Sequence, residues 1–143
     1  MKNICLVLIS IVITAIFFSC SDDDKENSAS IIGKWQVVSV EDFECANTSE
    51  NEKLQCSAGS YTFCQVIEFT SDQTFTSYRI WDNQFMGSGK YYGPGEGKFS
   101  IGYTNNPYGS PDNITYDFTV SASALITIYT GSSCRTRTVY TKI

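Results

Sequence analysis

The chain is 143 residues long, carries fifteen acidic residues against ten basic ones for a net charge of −5, and contains no histidine. An acidic chain without a basic cluster is excluded as a nucleic-acid binder, because such binders need cations to displace phosphate counterions. The missing imidazole excludes Ser-His-Asp and Cys-His catalysis and histidine-ligated metal sites.

The first element is an apolar stretch from Ile4 to Phe18, broken only by Ser10 and Thr14 and preceded by Lys2. That length suits a signal-peptide core and is short for a membrane span. Ser19 and Cys20 follow directly, and the arrangement resembles a bacterial lipoprotein signal. The resemblance implies removal of residues 1–19, lipidation of Cys20, and attachment to a lipid membrane through an N-terminal acyl anchor. The next stretch, "SDDDKENSAS", has no large apolar residue and cannot offset its own ordering entropy, so residues 20–30 are expected to be a flexible tether. Cysteine followed by Ser-Asp-Asp-Asp also resembles the acidic signal of Bacteroidetes lipoproteins sent to the outer leaflet of the outer membrane. Cell-surface display is therefore favoured over a periplasm-facing anchor.

Removal of residues 1–19 leaves 124 residues with a net charge of about −6, enough for one domain, residues 31–143, with one modest core. Its four cysteines, Cys45, Cys56, Cys64 and Cys134, are an even number in an exported domain and predict two disulfides. A four-cysteine zinc site is the alternative, but the intervening 10, 7 and 69 residues leave no CxxC pair.

The domain is rich in Thr, Tyr, Phe, Val and Ile, with Gly, Asn and Ser between the runs, which is strand chemistry separated by turn chemistry. Eight strands are predicted: Gly33–Glu41, Gln65–Thr70, Thr74–Trp81, Ser88–Tyr92, Lys98–Tyr103, Ile114–Val120, Ala124–Thr130 and Cys134–Lys142. The sixth alternates plainly, with Ile114, Tyr116, Phe118 and Val120 on one face and Thr115, Asp117 and Thr119 on the other. Alternation means one buried and one wet face, and the fold class is all-β. An eight-stranded antiparallel up-and-down barrel is expected, with a two-sheet β-sandwich as the alternative.

In up-and-down order the connections alternate between the two ends of the barrel. One end receives three short links, of about three, five and three residues. The other receives both long loops, about 42–64 and about 104–113, and becomes an elaborate mouth. All four cysteines fall at that mouth, because the first strand lies between the second and the eighth. Cys64 and Cys134 would sit two strand spacings apart, about 9.6 Å, beyond the Cα reach of roughly 7 Å for a bridge. The pairings left are Cys45–Cys134 with Cys56–Cys64, or Cys45–Cys64 with Cys56–Cys134.

Gly33-Lys34-Trp35 fits the G-x-W motif that opens the first barrel strand of lipocalins. With the lipoprotein signal and polar tether before it, "VIEFTSDQTF" in the second and third strands, and "CRTRTVYTKI" at the end, the chain resembles the lipocalin-like lipoproteins of Bacteroidetes. The resemblance implies that Trp35 closes the barrel base under an arginine from the last strand. Here the chain departs from that pattern: Arg135 and Arg137 lie near the start of the strand, towards the mouth, and Lys142 is nearer the base.

Other patterns have simpler readings. "GSGKYYGPGEG" (87–97) glances at a phosphate loop, but the lysine is misplaced and tyrosines follow in strand context. Asn47 and Asn113 begin formal glycosylation sequons that read as coincidence in a bacterial lipoprotein. Glu41, Glu68, Asp82 and Asp117 read as solvated strand-face carboxylates, not as an acid/base pair. Trp35, Phe69, Phe75, Tyr91, Phe99, Tyr103, Tyr116 and Phe118 are expected to point inside, where the last seven are candidates to line a cavity. The expected protein is therefore a non-enzymatic binding module without metal or cofactor. It either holds a small hydrophobic ligand or contacts a partner through its mouth. The alternative is a solid barrel whose rim loops dock a carbohydrate, a host protein or an outer-membrane complex.

Overall fold

A computed structural model describes residues 29–57, 61, 63–95, 97–109 and 113–143. The expected signal peptide, Cys20 and most of the tether lie outside these residues. Among the described residues nine strands form: β1 (Gly33–Phe43), β2 (Glu52–Gln55), β3 (Gln65–Phe69), β4 (Thr74–Arg79), β5 (Phe85–Gly95), β6 (Lys98–Asn105), β7 (Asn113–Val120), β8 (Ala124–Thr130) and β9 (Arg135–Lys142). Strands β3 to β9 pair antiparallel in chain order, and β1 bonds to both β3 and β9. The result is a closed eight-stranded up-and-down barrel of lipocalin-like form, with β2 as an extra strand. The two-sheet sandwich is not formed.

Closure depends on β1. Its base end pairs with β3 from Gly33↔Phe69 to Gln36↔Val66, and its other edge pairs with β9 from Trp35↔Lys142 to Phe43↔Arg135. The register shifts between Val37 and Ser39, leaving Val38 as a bulged, exposed residue. A bulge resets the alternation and bends the strand. Trp35 and Val37 face the core below it, and Glu41 and Phe43 turn outward above it, beside Arg137 and Arg135. β3 leaves β1 above Gln36, and β2 takes the vacated edge, from Ser39↔Gln55 to Asp42↔Glu52.

Inward residues from every wall meet in one core that contains Ile31, Trp35, Phe69, Phe75, Tyr91, Phe99, Ile101 and Leu125. Trp35 is fully buried, at 0 % exposure. At the base its indole N–H donates to the Ile31 carbonyl at 2.6 Å, and the Lys142 ammonium lies 5.1 Å from its ring centroid. Gly33 explains the start of the motif. Its φ of 127° disfavours a side chain, and a Cβ there would meet Lys142 Cε at 3.1 Å. The glycine leaves room for the lysine that covers the tryptophan.

The mouth is held by sulfur and charge. Disulfides join Cys45 to Cys134 and Cys56 to Cys64, so no thiolate among these four is left for zinc. The first closes the β1–β9 seam beside Ala46 N–H, which donates to Ser133 at 2.8 Å. The second returns the chain from β2 into β3. The long connection after β1 is thereby strapped to the wall at both ends.

Candidate functional site

The barrel interior narrows to a small cavity. It is bounded by Phe69, Phe99, Ile67, Ile101 and Leu125, with polar atoms from Gln65, Thr127, Tyr103, Tyr116 and Tyr140, and its volume is about 60 Å³. One water needs roughly 10–15 Å³ on this measure, whereas small-molecule pockets are usually about 300–1,000 Å³. The space is small because the aromatic rings interlock. Phe69 stands edge-on to Tyr91 and Phe99 at 5.3 and 5.8 Å between centroids. Phe99 stacks on Tyr116 and meets Phe118 edge-on, both at 5.4 Å. Phe75 meets Tyr103 edge-on at 5.2 Å. Pairs of this kind contribute about 0.5–1.5 kcal/mol each beyond their buried area.

Of the seven candidate cavity residues, Phe69, Phe99, Tyr103 and Tyr116 border the cavity. Phe75, Tyr91 and Phe118 fill the barrel around them, and Tyr91 donates its hydroxyl to the Thr70 carbonyl at 2.6 Å. Burial pushes the phenols of Tyr103, Tyr116 and Tyr140 upward from their ordinary value, so they stay protonated and serve as neutral hydrogen-bonding groups.

The glycine-rich run also belongs to the wall. Gly87, Ser88, Gly89 and Lys90 lie in β5, bonded to β4 on one side, with Ser88 to Lys90 also bonded to β6 on the other. A Cβ on Gly87 would lie 2.8 Å from the Tyr103 ring, and one on Gly89 would lie 2.0 Å from the Gly102 carbonyl oxygen. These glycines allow close packing and form no anion cradle.

The four carboxylates are all engaged in ion pairs. Glu68 pairs with Lys34 at 3.5 Å, Asp117 with Lys98 at 3.4 Å, and Glu41 with Arg137 at 2.8 Å. Asp82 pairs with Arg79 and has a different setting. It lies in the β4–β5 turn, where Arg79 Nε donates to Oδ1 at 2.8 Å and Nη2 reaches both Asp82 Oδ2 and Gln84 Oε1. The bond from Arg79 holds the Asp82 carboxyl well below its ordinary value, at about 2. The same guanidinium lies 4.8 Å from the centroid of the Trp81 ring. One face of Trp81 is thus backed by a clamped cation, while the residue is still 41 % exposed.

The two long loops also carry exposed aromatic residues. Ile80 N–H donates to the Cys64 carbonyl at 3.0 Å, which docks this turn against the end of the first long loop. In that loop Tyr61 stacks on Phe63 at 5.1 Å, and Tyr61 is 40 % exposed. Tyr108, in the second long loop, is 52 % exposed. Tyr61, Trp81 and Tyr108 thus all lie in connections at the mouth end of the barrel. No known family model, curated protein or solved structure matches the chain.

This set of mouth aromatics was hidden from sequence reasoning. Its three exposed rings are far apart in the chain, and the third strand was expected to extend through Trp81. Strand β4 stops at Arg79, because the Arg79 carboxylate pair and the positive φ of 54° at Asn83 define a turn. The only sequence signal was topological: both long loops were assigned to the same end of the barrel.

Proposed function

We propose that the protein is a lipid-anchored, non-enzymatic interaction module. Its barrel is a filled scaffold, and its mouth rim is the contact surface. The observation that carries this reading is the contrast between an interior cavity of about 60 Å³ and the exposed aromatic residues in the connections of the mouth. The anchor rests on the signal-like segment and Cys20. Because the chain enters β1 at the base, a tether there aims the rim away from the membrane, and the acidic tether favours the cell surface.

A photo-crosslinking residue placed at Trp81 or Tyr108 in cells tests the rim. Adducts are expected from these positions and not from Thr119, an exposed position near the base. Equal adducts from all three would overturn the reading. The second reading, a small apolar ligand inside the barrel, draws on the aromatic walls of the cavity. It requires rings such as Tyr103 to swing aside. Native mass spectrometry with lipid extraction on residues 21–143, which lack Cys20, separates the two: a bare polypeptide is expected, and a stoichiometric apolar molecule would favour the ligand.

A further inference from the structure

We propose that the barrel interior is a hydration site: the cavity of about 60 Å³ holds a resident cluster of about four to six waters, at roughly 10–15 Å³ each, and the cluster bars apolar ligands from the core. The site is independent of what the rim contacts. The cavity walls are aromatic, but the groups they present include three phenols, a hydroxyl and a primary amide. Gln65 brings the amide from β3, Tyr103 comes from β6, Tyr116 from β7, Thr127 from β8 and Tyr140 from β9. Five strands thus turn polar groups onto one small space.

These groups are not all spent on one another. The Tyr140 hydroxyl has Thr127 and Thr138 as hydrogen-bonding partners. The Tyr103 and Tyr116 hydroxyls have no hydrogen-bond partner among the described residues and open onto the cavity instead. A buried hydroxyl left unpaired is costly, and protein cavities that stay dry are apolar ones. Burial keeps both phenols neutral, so each can donate one hydrogen bond and accept others.

The lining also selects the occupant. It contains no lysine, arginine or carboxylate, so an ion brought inside would have no countercharge. An apolar molecule would strand the phenols and the amide. Water both donates and accepts, and each molecule needs only two to four polar partners. The hydroxyls of Tyr103 and Tyr116, and not cavity size alone, are therefore what turns an apolar guest away.

The test is a high-resolution crystal structure of the full-length protein in detergent, with a second set of crystals under xenon pressure. In the parent, separate water peaks are expected within hydrogen-bonding distance of the Tyr103 and Tyr116 hydroxyls, and xenon is expected to stay out of the barrel. The Tyr103→Phe/Tyr116→Phe variant should lose those waters and admit xenon, as apolar cavities do. Tyr92→Phe, at an exposed tyrosine near the base, should change neither result. If the double variant does not fold, NMR cross-relaxation between long-lived water and the Thr127 amide of the parent carries the test, with a clear signal expected. Continuous density for one organic molecule, xenon in the parent cavity, waters unmoved by the double substitution, or no cross-relaxation would overturn the proposal.

Discussion

At the scale of single residues, two tryptophans with cationic neighbours have opposite settings. Trp35 is sealed, its N–H is spent on Ile31, and Lys142 covers it at the base. Trp81 is 41 % exposed, and its cation is fixed by a carboxylate. The Asp82 carboxyl sits at about 2 against an ordinary 3.8, lowered first by the bond from Arg79. A lowered carboxyl stabilises the turn fully above the ordinary value and ceases to do so as pH falls through its folded value. The Trp81 emission is therefore expected to be constant above about pH 4 and to shift with a midpoint near pH 2, while Trp35 emission is unchanged. The Asp82→Asn variant should lack the transition. A Trp81 shift centred near pH 4 would show that the carboxylate is not held by Arg79. The G-x-W motif made Trp35 readable from sequence, and Lys142 was already placed near the base. That Lys142 fills the covering role depends on Gly33, whose missing Cβ admits the side chain.

Among the elements, readability tracked alternation. Strand β7 runs Asn113–Val120 against an expected start at Ile114, and its inward residues were plain in the sequence. Strand β5 was expected over five residues and spans Phe85–Gly95. Its glycines and Pro94 look like turn punctuation, but neighbours on both sides bond to it, through register shifts that absorb the irregularity. Strand β2 was not expected at all. "EKLQ" has one apolar residue and four positions, and it pairs only because β1 leaves an edge open. Its charged residues guard that edge against a further strand. The glycines of β5 give a contrast that can be measured. Gly89→Ala must displace the Gly102 carbonyl, and a loss of at least about 1–3 kcal/mol in urea unfolding is expected. Gly95→Ala meets nothing within 4 Å and should be within about 0.5 kcal/mol of the parent. Equal losses would show that the β5–β6 spacing is not what the glycines preserve.

For the whole molecule, the disulfide pattern sets how the mouth is held. Sequence geometry left two pairings open, and the structure forms Cys45–Cys134 with Cys56–Cys64. Their sequence separations of 89 and 8 residues imply unequal contributions, about 4.6 and 2.5 kcal/mol if chain entropy dominates. Paired serine substitution at Cys45 and Cys134 should therefore lower the urea midpoint more than substitution at Cys56 and Cys64. The reverse order would show that the short loop, and not the seam, governs stability. The barrel and the grouping of cysteines at one end were legible because they follow from strand count and loop length. The filled interior was not, because ring packing depends on distances no sequence states. The seam has one more consequence. Strand β1 runs from the Ile31 end to the disulfide-bonded lip, and it is bonded to β9 along nearly its whole length. A mechanical pull between the two poles acts parallel to these strands. The bonds flanking β1 then resist together, in shear, instead of peeling one by one.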